Sequence, residues 1–371
     1  MDLLSPKTIK ELLAKYGAAP LKRMGQNFLI NKGVLEKIIE AAGLQRPVEV
    51  RLQQKSLKSD FNREGVVLEI GPGLGSLTQE LAKRAKKVIA IEKDRKFAKI
   101  LKETMKEYKN VEIIEGDVLK IDISNYIPPF KKGGVGGILQ KKDKSTPALL
   151  YKRRELKYKL VANLPYYITS PVIRKFLEEK NQPKEMILMV QKEVAQRICA
   201  SPVRSSAERS EGGQTARMSL LSVSVQFYAD PKIISYVKKG SFWPQPKVDS
   251  AILRIIPKAT PIPGLHPDDT DNNAPQPPLK LRGGARELLP ERATPSGASR
   301  RLFFAIVRAG FSAPRKQLAG NLAKGLKIER YIIEEALKNA EISPAQRAET
   351  LRVEDWIKIV KYLISNKILN A

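Results

Sequence analysis

The sequence predicts an α/β fold, in which a parallel, doubly wound sheet is followed by a small all-helical domain. From Val66 onward, short apolar strands alternate with amphipathic helices, a pattern typical of a parallel sheet covered on both faces. After Arg301 the pattern is helical throughout. Between these parts, residues 257–300 hold nine of the 25 prolines, which predicts a flexible linker. We therefore predict domains at 1–256 and 301–371.

Helices are predicted from apolar spacing and from the signals at their ends. The first begins at Ser5 and ends at Gly17, and the second follows a basic loop and ends at Gly43. Ser76 and Gln79, spaced as a capping box, predict the start of the next helix. Further helices are predicted from Asp94, after Pro171, in KEVAQRICA, and in the C-terminal segments RLFFAIVRAGF, RKQLAGNLAKG, ERYIIEEALKNA and VEDWIKIVKYLISNKI.

Strands are predicted from short apolar runs, and three segments without periodicity interrupt them. The predicted strands are VVLEI, VIAIE, VEIIEGDV, KLVANL and MILMV, followed by LSVSVQFYA and DSAILRII at one edge, one of these two antiparallel. The segments near 44–64, 128–158 and 201–216 are interpreted as inserted surface loops. The second of these is strongly basic, so it either adds phosphate contacts or is a solvated insertion.

Composition limits the chemistry and points to a polyanionic partner. Lys and Arg number 67 against 39 Asp and Glu, a formal charge of +28, which favours nucleic acid over a generally basic surface. The single Cys and single His, Cys199 and His266, exclude an internal disulfide and argue against a zinc site or a Ser-His nucleophile. We find neither a signal peptide nor an apolar run of ~18 residues. We therefore predict a cytoplasmic protein without a metal or a membrane span.

A glycine-rich turn follows the first core strand. Gly71, Gly73 and Gly75 are evenly spaced, which fits S-adenosylmethionine better than the G-x-G-x-x-G pattern of dinucleotide sites. Such a turn can also merely pack a helix on a strand. Two acids at the next strand ends strengthen the cofactor hypothesis: Glu92, placed to accept ribose hydroxyls, and Asp117, placed to accept an adenine amino group. Each alone could be a helix cap or a solvated acid.

The fourth strand ends in Asn163, Leu164, Pro165 and Tyr166. The Asn163 side-chain oxygen and the Leu164 carbonyl suit the two hydrogens of a nucleobase amino group, and Pro165 fixes the turn that directs both acceptors inward. Tyr166 offers a ring on which an extruded base can stack. No charged base is needed, since the amine can lose its proton after methyl transfer. The alternative is a strand that ends in a proline turn with two interfacial tyrosines.

Together these motifs resemble the ribosomal RNA adenine dimethyltransferases, of the small-subunit type. The similar segments are GQNFL, LEIGPGLGSLT, IEKD, GDVLKID, VANLPYYITSPVI, VQKEVAQRI, FWPQPKVDSAILRI, VRAGF with RKQLAGNL, and RAETL. The resemblance implies a Rossmann-like methyltransferase domain and a helical domain that helps to bind RNA. It also implies dimethylation of two adjacent adenines in the 3′-terminal hairpin loop of small-subunit rRNA, within the pre-30S particle.

The resemblance adds site residues that the pattern alone did not indicate. It implies cofactor contacts at Asn27 and Leu29, besides the residues given above and Asn163 itself, and a target base between Tyr166 and Phe242. We expect a monomer. Two alternatives stay open: a large-subunit rRNA adenine methyltransferase, and a catalytically silent assembly or RNA-binding factor of the same fold.

Overall fold

The computed structural model describes residues 1–20, 25–44, 64–127, 158–179, 181–202, 217–258 and 295–369. The segments predicted as inserted loops near 44–64, 128–158 and 201–216, and most of the predicted linker at 257–300, lie outside the described residues. Among the helices within these ranges, none is long and apolar enough to cross a membrane.

Two sheets lie in the described residues. Their strands are β1 (Phe28–Leu29), β2 (Glu64–Ile70), β3 (Ala85–Glu92), β4 (Val111–Glu115), β5 (Lys159–Asn163), β6 (Glu185–Gln191), β7 (Ala229–Val237), β8 (Phe242–Trp243) and β9 (Ser250–Pro257). The main sheet has seven strands in the order β4-β3-β2-β5-β6-β9-β7, and β1 pairs with β8 in a second, two-stranded sheet. The first five strands in that order are parallel, and β9 is antiparallel to both of its neighbours, β6 and β7.

Helices connect the strands and form the C-terminal part of the chain. They are α1 (Pro6–Lys15), α2 (Lys32–Ala41), α3 (Ser76–Ala82), α4 (Arg95–Thr104), α5 (Thr169–Glu178), α6 (Lys192–Ile198), α7 (Leu220–Tyr228), α8 (Pro295–Gly310), α9 (Leu318–Leu326), α10 (Arg330–Asn339) and α11 (Val353–Ser365). The α/β fold class predicted from the sequence is confirmed, and α8 to α11 occupy the segments predicted as C-terminal helices.

The segment LSVSVQFYA is helix α7, and its prediction as a strand is wrong. Its apolar residues Val223, Val225 and Phe227 alternate with polar ones, which imitates the period of two of a strand. The helix begins at a capping box: Ser222 N donates to the Ser219 hydroxyl oxygen, and Ser219 N donates to the Ser222 hydroxyl oxygen. The edge strand β7 follows α7. Because β9 is antiparallel to both β6 and β7, only β9 runs against the other strands, so one of the two strands at this edge is antiparallel, as predicted.

One predicted cap and two helix boundaries differ from the prediction. Helix α3 begins at Ser76 as predicted, but the capping box is absent, because the N-cap position is Gly75, whose φ of +94° is left-handed. Helix α5 begins at Thr169, two residues before Pro171, because proline is tolerated in a first turn. Helix α8 begins at Pro295, inside the predicted linker. By contrast, Asp94 caps α4 as its position predicts, with its carboxylate accepting from Lys96 N at 2.8 Å.

The C-terminal helices pack on the sheet domain through aromatic rings of α7. The centroid of the Phe227 ring lies 4.3 Å from that of Phe303 and 5.2 Å from that of Phe304, both on α8. One continuous set of buried side chains runs from Leu68 in the sheet to Trp356 in α11. The structure therefore joins the two predicted domains through a shared core.

Two glycines test how the C-terminal helices pack on one another. A Cβ atom on Gly310 would lie 2.3 Å from the buried ring of Trp356, whereas one on Gly320 would meet nothing within 4 Å. Overpacking costs about 1 to 3 kcal/mol. We therefore expect Gly310→Ala to lower the free energy of unfolding in urea.

The matched control Gly320→Ala has the same chemistry at an open helix position. It is expected to raise the free energy of unfolding by up to about 1 kcal/mol, since Ala is the better helix former. Equal effects of the two variants would contradict the packing of α8 against Trp356.

Candidate active site

The carboxyl ends of the parallel strands form one wall of a pocket. The chain proceeds from β2 outward to β3 and β4 and then returns to β5 on the other side of β2, so the strand order reverses between β2 and β5. Open α/β sheets bind ligands at such a switch point. The space in the pocket, including its open mouth, is about 1080 Å³. The lining includes every site residue predicted above, namely Asn27, Leu29, Gly71, Glu92, Asp117, Asn163, Leu164, Pro165, Tyr166 and Phe242.

The glycine turn forms the floor of the pocket next to β2. Gly71 and Gly73 have left-handed φ values of +66° and +58°, which other residues adopt only with strain. A Cβ atom on Gly73 would lie 3.3 Å from the ring of Phe28, so a side chain there would press on the opposite wall. The backbone of this turn therefore lines the pocket directly, with no side chain between it and a bound ligand.

Glu92, at the end of β3, is buried and held by two backbone amides. Gly73 N donates to Oε2 at 3.1 Å, and Asp94 N donates to Oε1 at 2.9 Å. Burial raises the pKa of Glu92, and these two amides act in the opposite direction. Each carboxylate oxygen keeps a lone pair for a ligand. The arrangement can accept two hydroxyl groups from a ribose.

Asp117, just beyond the end of β4, is already engaged by neighbouring groups. Its Oδ2 lies 2.9 Å from the Lys93 ammonium, and its Oδ1 accepts from Leu119 N at 3.0 Å. Partial burial acts to raise the pKa of Asp117, but the hydrogen bonds from Lys93 and Leu119 N and the nearby positive charges together outweigh it, so the pKa is lowered. A charged acceptor therefore stands at the pocket edge, next to a cation.

Asn163 ends β5, and a hydrogen bond to the N-terminal segment sets the orientation of its amide. Its Nδ2 donates to the carbonyl oxygen of Asn27 at 3.2 Å. Within the part of the chain that the structure describes, no hydrogen bond is donated to the Asn163 side-chain oxygen Oδ1. The next residue is also fixed, because Leu164 N donates to Met189 O of β6 at 3.2 Å. The strand end thus offers a free acceptor on the pocket wall.

Two aromatic residues beside Asn163 come from distant parts of the chain. Tyr166 is partly buried, and its hydroxyl lies 2.9 Å from the Ser250 hydroxyl at the start of β9. Burial raises the pKa of Tyr166, so the phenol stays neutral near physiological pH. Phe242 lies on β8, whose pairing with β1 places Phe242 opposite Leu29. The pocket therefore contains both rings of the predicted base site.

Comparisons with known proteins identify the family of the chain. A family model described as ribosomal RNA adenine dimethylase matches residues 21–269. The chain is 37% identical over 350 residues to a ribosomal RNA small subunit methyltransferase A of Dehalococcoides mccartyi strain CBDB1, which covers 94% of this chain and 90% of the relative. It is 34% identical to the protein of the same name from Bacillus pumilus strain SAFR-032, with 98% and 97% of the two chains covered. The chain belongs to the ribosomal RNA adenine dimethylases.

Solved structures confirm the Rossmann-like methyltransferase fold of this dimethylase. A dimethyladenosine transferase from Plasmodium falciparum has a TM-score of 0.57 at 23% identity, with 92% of this chain and 98% of that chain covered. The 23S rRNA methyltransferase ErmE has a TM-score of 0.54, also at 23% identity, with 91% and 99% covered. At this identity the likenesses show the fold alone.

As a member of its family, the dimethylase uses S-adenosylmethionine, and the residues of the pocket fit that cofactor. Glu92 supplies a fixed carboxylate for ribose hydroxyls, and Gly73 leaves the floor open where a Cβ atom would crowd Phe28. Among the described residues, no three His, Cys, Asp or Glu side chains are grouped so as to bind a metal ion.

The pattern of the sequence alone did not indicate several residues of the pocket. The pattern predicts only a basic loop for residues 26–29, although Asn27 orients Asn163. Glu69, in β2, lines the pocket but is only 1% exposed, and its Oε2 has no hydrogen-bond partner in the described residues. Burial raises the pKa of Glu69 to about 8, and the nearby carboxylate of Glu92 acts in the same direction. The one signal in the sequence for this residue is the presence of an acid within the apolar run VVLEI.

Glu69→Gln tests this buried acid through the pH dependence of stability. Folded wild type keeps the Glu69 proton up to a pH of about 8, whereas the unfolded chain loses it near 4.5. Between these values the folded state holds more protons, so this group lowers the free energy of unfolding as pH rises. We expect the stability of Glu69→Gln relative to wild type to increase from pH ~5 to ~8 in urea unfolding without cofactor.

The exposed glutamate Glu107 provides the control for the loss of one negative charge. The difference in free energy of unfolding between Glu107→Gln and wild type is expected to depend much less on pH. If the difference in free energy of unfolding between Glu69→Gln and wild type is constant from pH ~5 to ~8, the pKa of Glu69 is not raised.

Proposed function

We propose that this dimethylase transfers methyl groups from S-adenosylmethionine to the exocyclic amino groups of two adjacent adenines in the 3′-terminal hairpin loop of small-subunit rRNA. The observation that carries the proposal is the Asn163 amide, fixed by Asn27 with its oxygen open to the pocket and with Tyr166 beside it. The two relatives described above, both named as small-subunit rRNA methyltransferases, support this choice of substrate.

Asn163 and Leu164 orient the adenine amine in this proposal. The lone pair of such an amine is delocalised into the ring, so the free amine is a poor nucleophile. Asn163 Oδ1 accepts one amino hydrogen and the Leu164 carbonyl oxygen accepts the other, which holds the nitrogen in one orientation toward the glycine turn. The two neutral acceptors also stabilise the positive charge that develops on the nitrogen during transfer.

The cofactor-binding residues lie along neighbouring strand ends. S-adenosylmethionine supplies an electrophilic methyl group when it is bound. Glu92 accepts the ribose hydroxyls, Asp117 accepts the adenine amino group, and Gly71 allows the backbone to approach closely. Asn27 and Leu29 cover the pocket from the N-terminal side, next to Asn163. These assignments place cofactor and target base on opposite sides of the Asn163 amide.

Tyr166 and Phe242 bind the target base in its extruded position. An adenine cannot reach the amide of Asn163 while it is stacked within RNA, so it must leave the stack. Tyr166 gives it a replacement stacking surface, and the contact of its hydroxyl with Ser250 holds the ring in place. Phe242 is 4% exposed and forms the fixed opposite wall.

The partner in this proposal is small-subunit rRNA within the pre-30S particle, bound by a monomer in the cytoplasm. The excess of 67 basic over 39 acidic residues suits a partner with many phosphates. The proposed domain boundaries assign residues 301–371 to RNA binding and 1–256 to catalysis, with 257–300 between them. The relatives named above do not favour a large-subunit substrate or a silent assembly factor.

Small subunits from cells that lack the modification provide the direct test. We expect the purified protein to transfer methyl groups from labelled S-adenosylmethionine to two adjacent adenines, mapped by mass spectrometry of the RNA. Asn163→Ala should lower the rate by about 100-fold or more, as loss of one oriented polar group often does in catalysis. Methylation of large subunits alone, or RNA binding without transfer, would overturn the proposal.

Glu92→Gln tests the proposed cofactor site separately from RNA. Loss of the charge weakens hydrogen bonds from two hydroxyls, so we expect affinity for S-adenosylmethionine in calorimetry to fall about 10- to 100-fold.

Glu115 offers a matched control, since it pairs in register with Glu92 on the next strand but is exposed and ion-paired with Arg95. Glu115→Gln should bind the cofactor as wild type does. Equal losses in the two variants would show that Glu92 has no specific role.

A further inference from the structure

We propose that Tyr167 is a stacking platform for the nucleotide adjacent to the adenine in the pocket. This inference rests on the proposed function, since it concerns the RNA around the target base. Tyr167 belongs to the pocket lining, yet the assignments made above for the cofactor and for the target base leave it unused. Its side chain is 51% exposed, whereas Tyr166, its neighbour in the chain, is partly buried.

The local backbone separates the two tyrosine rings. Tyr166 to Ile168 form a 3-10 turn. Such a turn has about three residues per turn, so neighbouring side chains diverge by about 120°. The Tyr166 hydroxyl reaches Ser250, which fixes that ring inside the pocket. The Tyr167 ring is consequently directed away from it, to the mouth of the pocket.

When the target adenine is extruded, the neighbouring base loses a stacking partner that Tyr167 can replace. Bases in single-stranded RNA gain stability by stacking, and a base that loses its neighbour to the pocket loses one stacking partner. An exposed aromatic ring at the mouth can replace that partner for any base, because every base has a π-face. Two consecutive tyrosines with diverging rings therefore match two consecutive nucleotides, one inside the pocket and one at its rim.

A positive charge lies at the same rim. Lys93 is exposed and forms its ion pair with Asp117 at 2.9 Å. The hydrogen bond to the Asp117 carboxylate and the negative charge of that carboxylate raise the pKa of Lys93. The ammonium group therefore remains charged near neutral pH, as a contact to an RNA phosphate requires.

The experiment compares Tyr167→Ala and Tyr167→Phe with wild type on small subunits that carry unmodified rRNA. Loss of one base-aromatic stack should lower kcat/KM of Tyr167→Ala by about 5- to 150-fold, mainly through a higher KM for subunits. Tyr167→Phe keeps the ring and should stay within about 2-fold of wild type. The Kd for S-adenosylmethionine should be the same in all three proteins.

Reconstituted subunits with an abasic nucleotide on one side of the target adenine isolate the contact. On the side where Tyr167 stacks, removal of the base should lower the methylation rate of wild type. The same removal should lower the rate of Tyr167→Ala only slightly, because that variant has already lost the stacking contact. Three results would overturn the inference: full activity of Tyr167→Ala, a loss that is the same on intact and both abasic RNAs, or a weakened cofactor Kd that accounts for the loss. A wild-type chain that methylates no subunit would instead overturn the proposed function, and this inference with it.

Discussion

The hydrogen bond from Asn163 Nδ2 to the carbonyl oxygen of Asn27 is the contact on which the candidate site depends. It occupies one of the two N–H donors of the amide and leaves the amide oxygen without a hydrogen-bond donor among the described residues. The same contact ties the N-terminal segment to the end of β5, next to the glycine turn. That segment is held from its other side by the pairing of β1 with β8, which also brings Phe242 to the pocket. The N-terminal segment therefore fixes both the orientation of the Asn163 amide and the position of Phe242.

Much of the site was predictable from the sequence because parallel strands end at a common edge. Once Gly71, Glu92, Asp117 and Asn163 were each placed at the end of a successive strand, their convergence followed from the sheet itself. The chemistry of each position followed from its residue type, and the comparisons confirm the family and its cofactor.

The features that could not be predicted depend on contacts that local patterns do not encode. Helix α7 alternates apolar and polar residues like a strand, and burial against α8 determines its conformation. The pairing of Phe28 with Trp243 joins residues far apart in the chain, so no short window contains it. The raised pKa of Glu69 depends on how completely the surrounding elements exclude water. The apolar run around Glu69 predicts that it is buried, but it does not predict that Oε2 lacks a hydrogen-bond partner among the described residues.

The packing of Phe227 on Phe303 and Phe304 has a consequence for how a large particle would be recognised. These rings belong to a buried core that the C-terminal helices share with the sheet domain. If the C-terminal helices bind RNA as proposed above, an adenine of that RNA can reach the pocket only when it lies at a set distance from the segment bound on the helices. Tertiary geometry of the particle, besides the identity of a few bases, would in this way select the substrate.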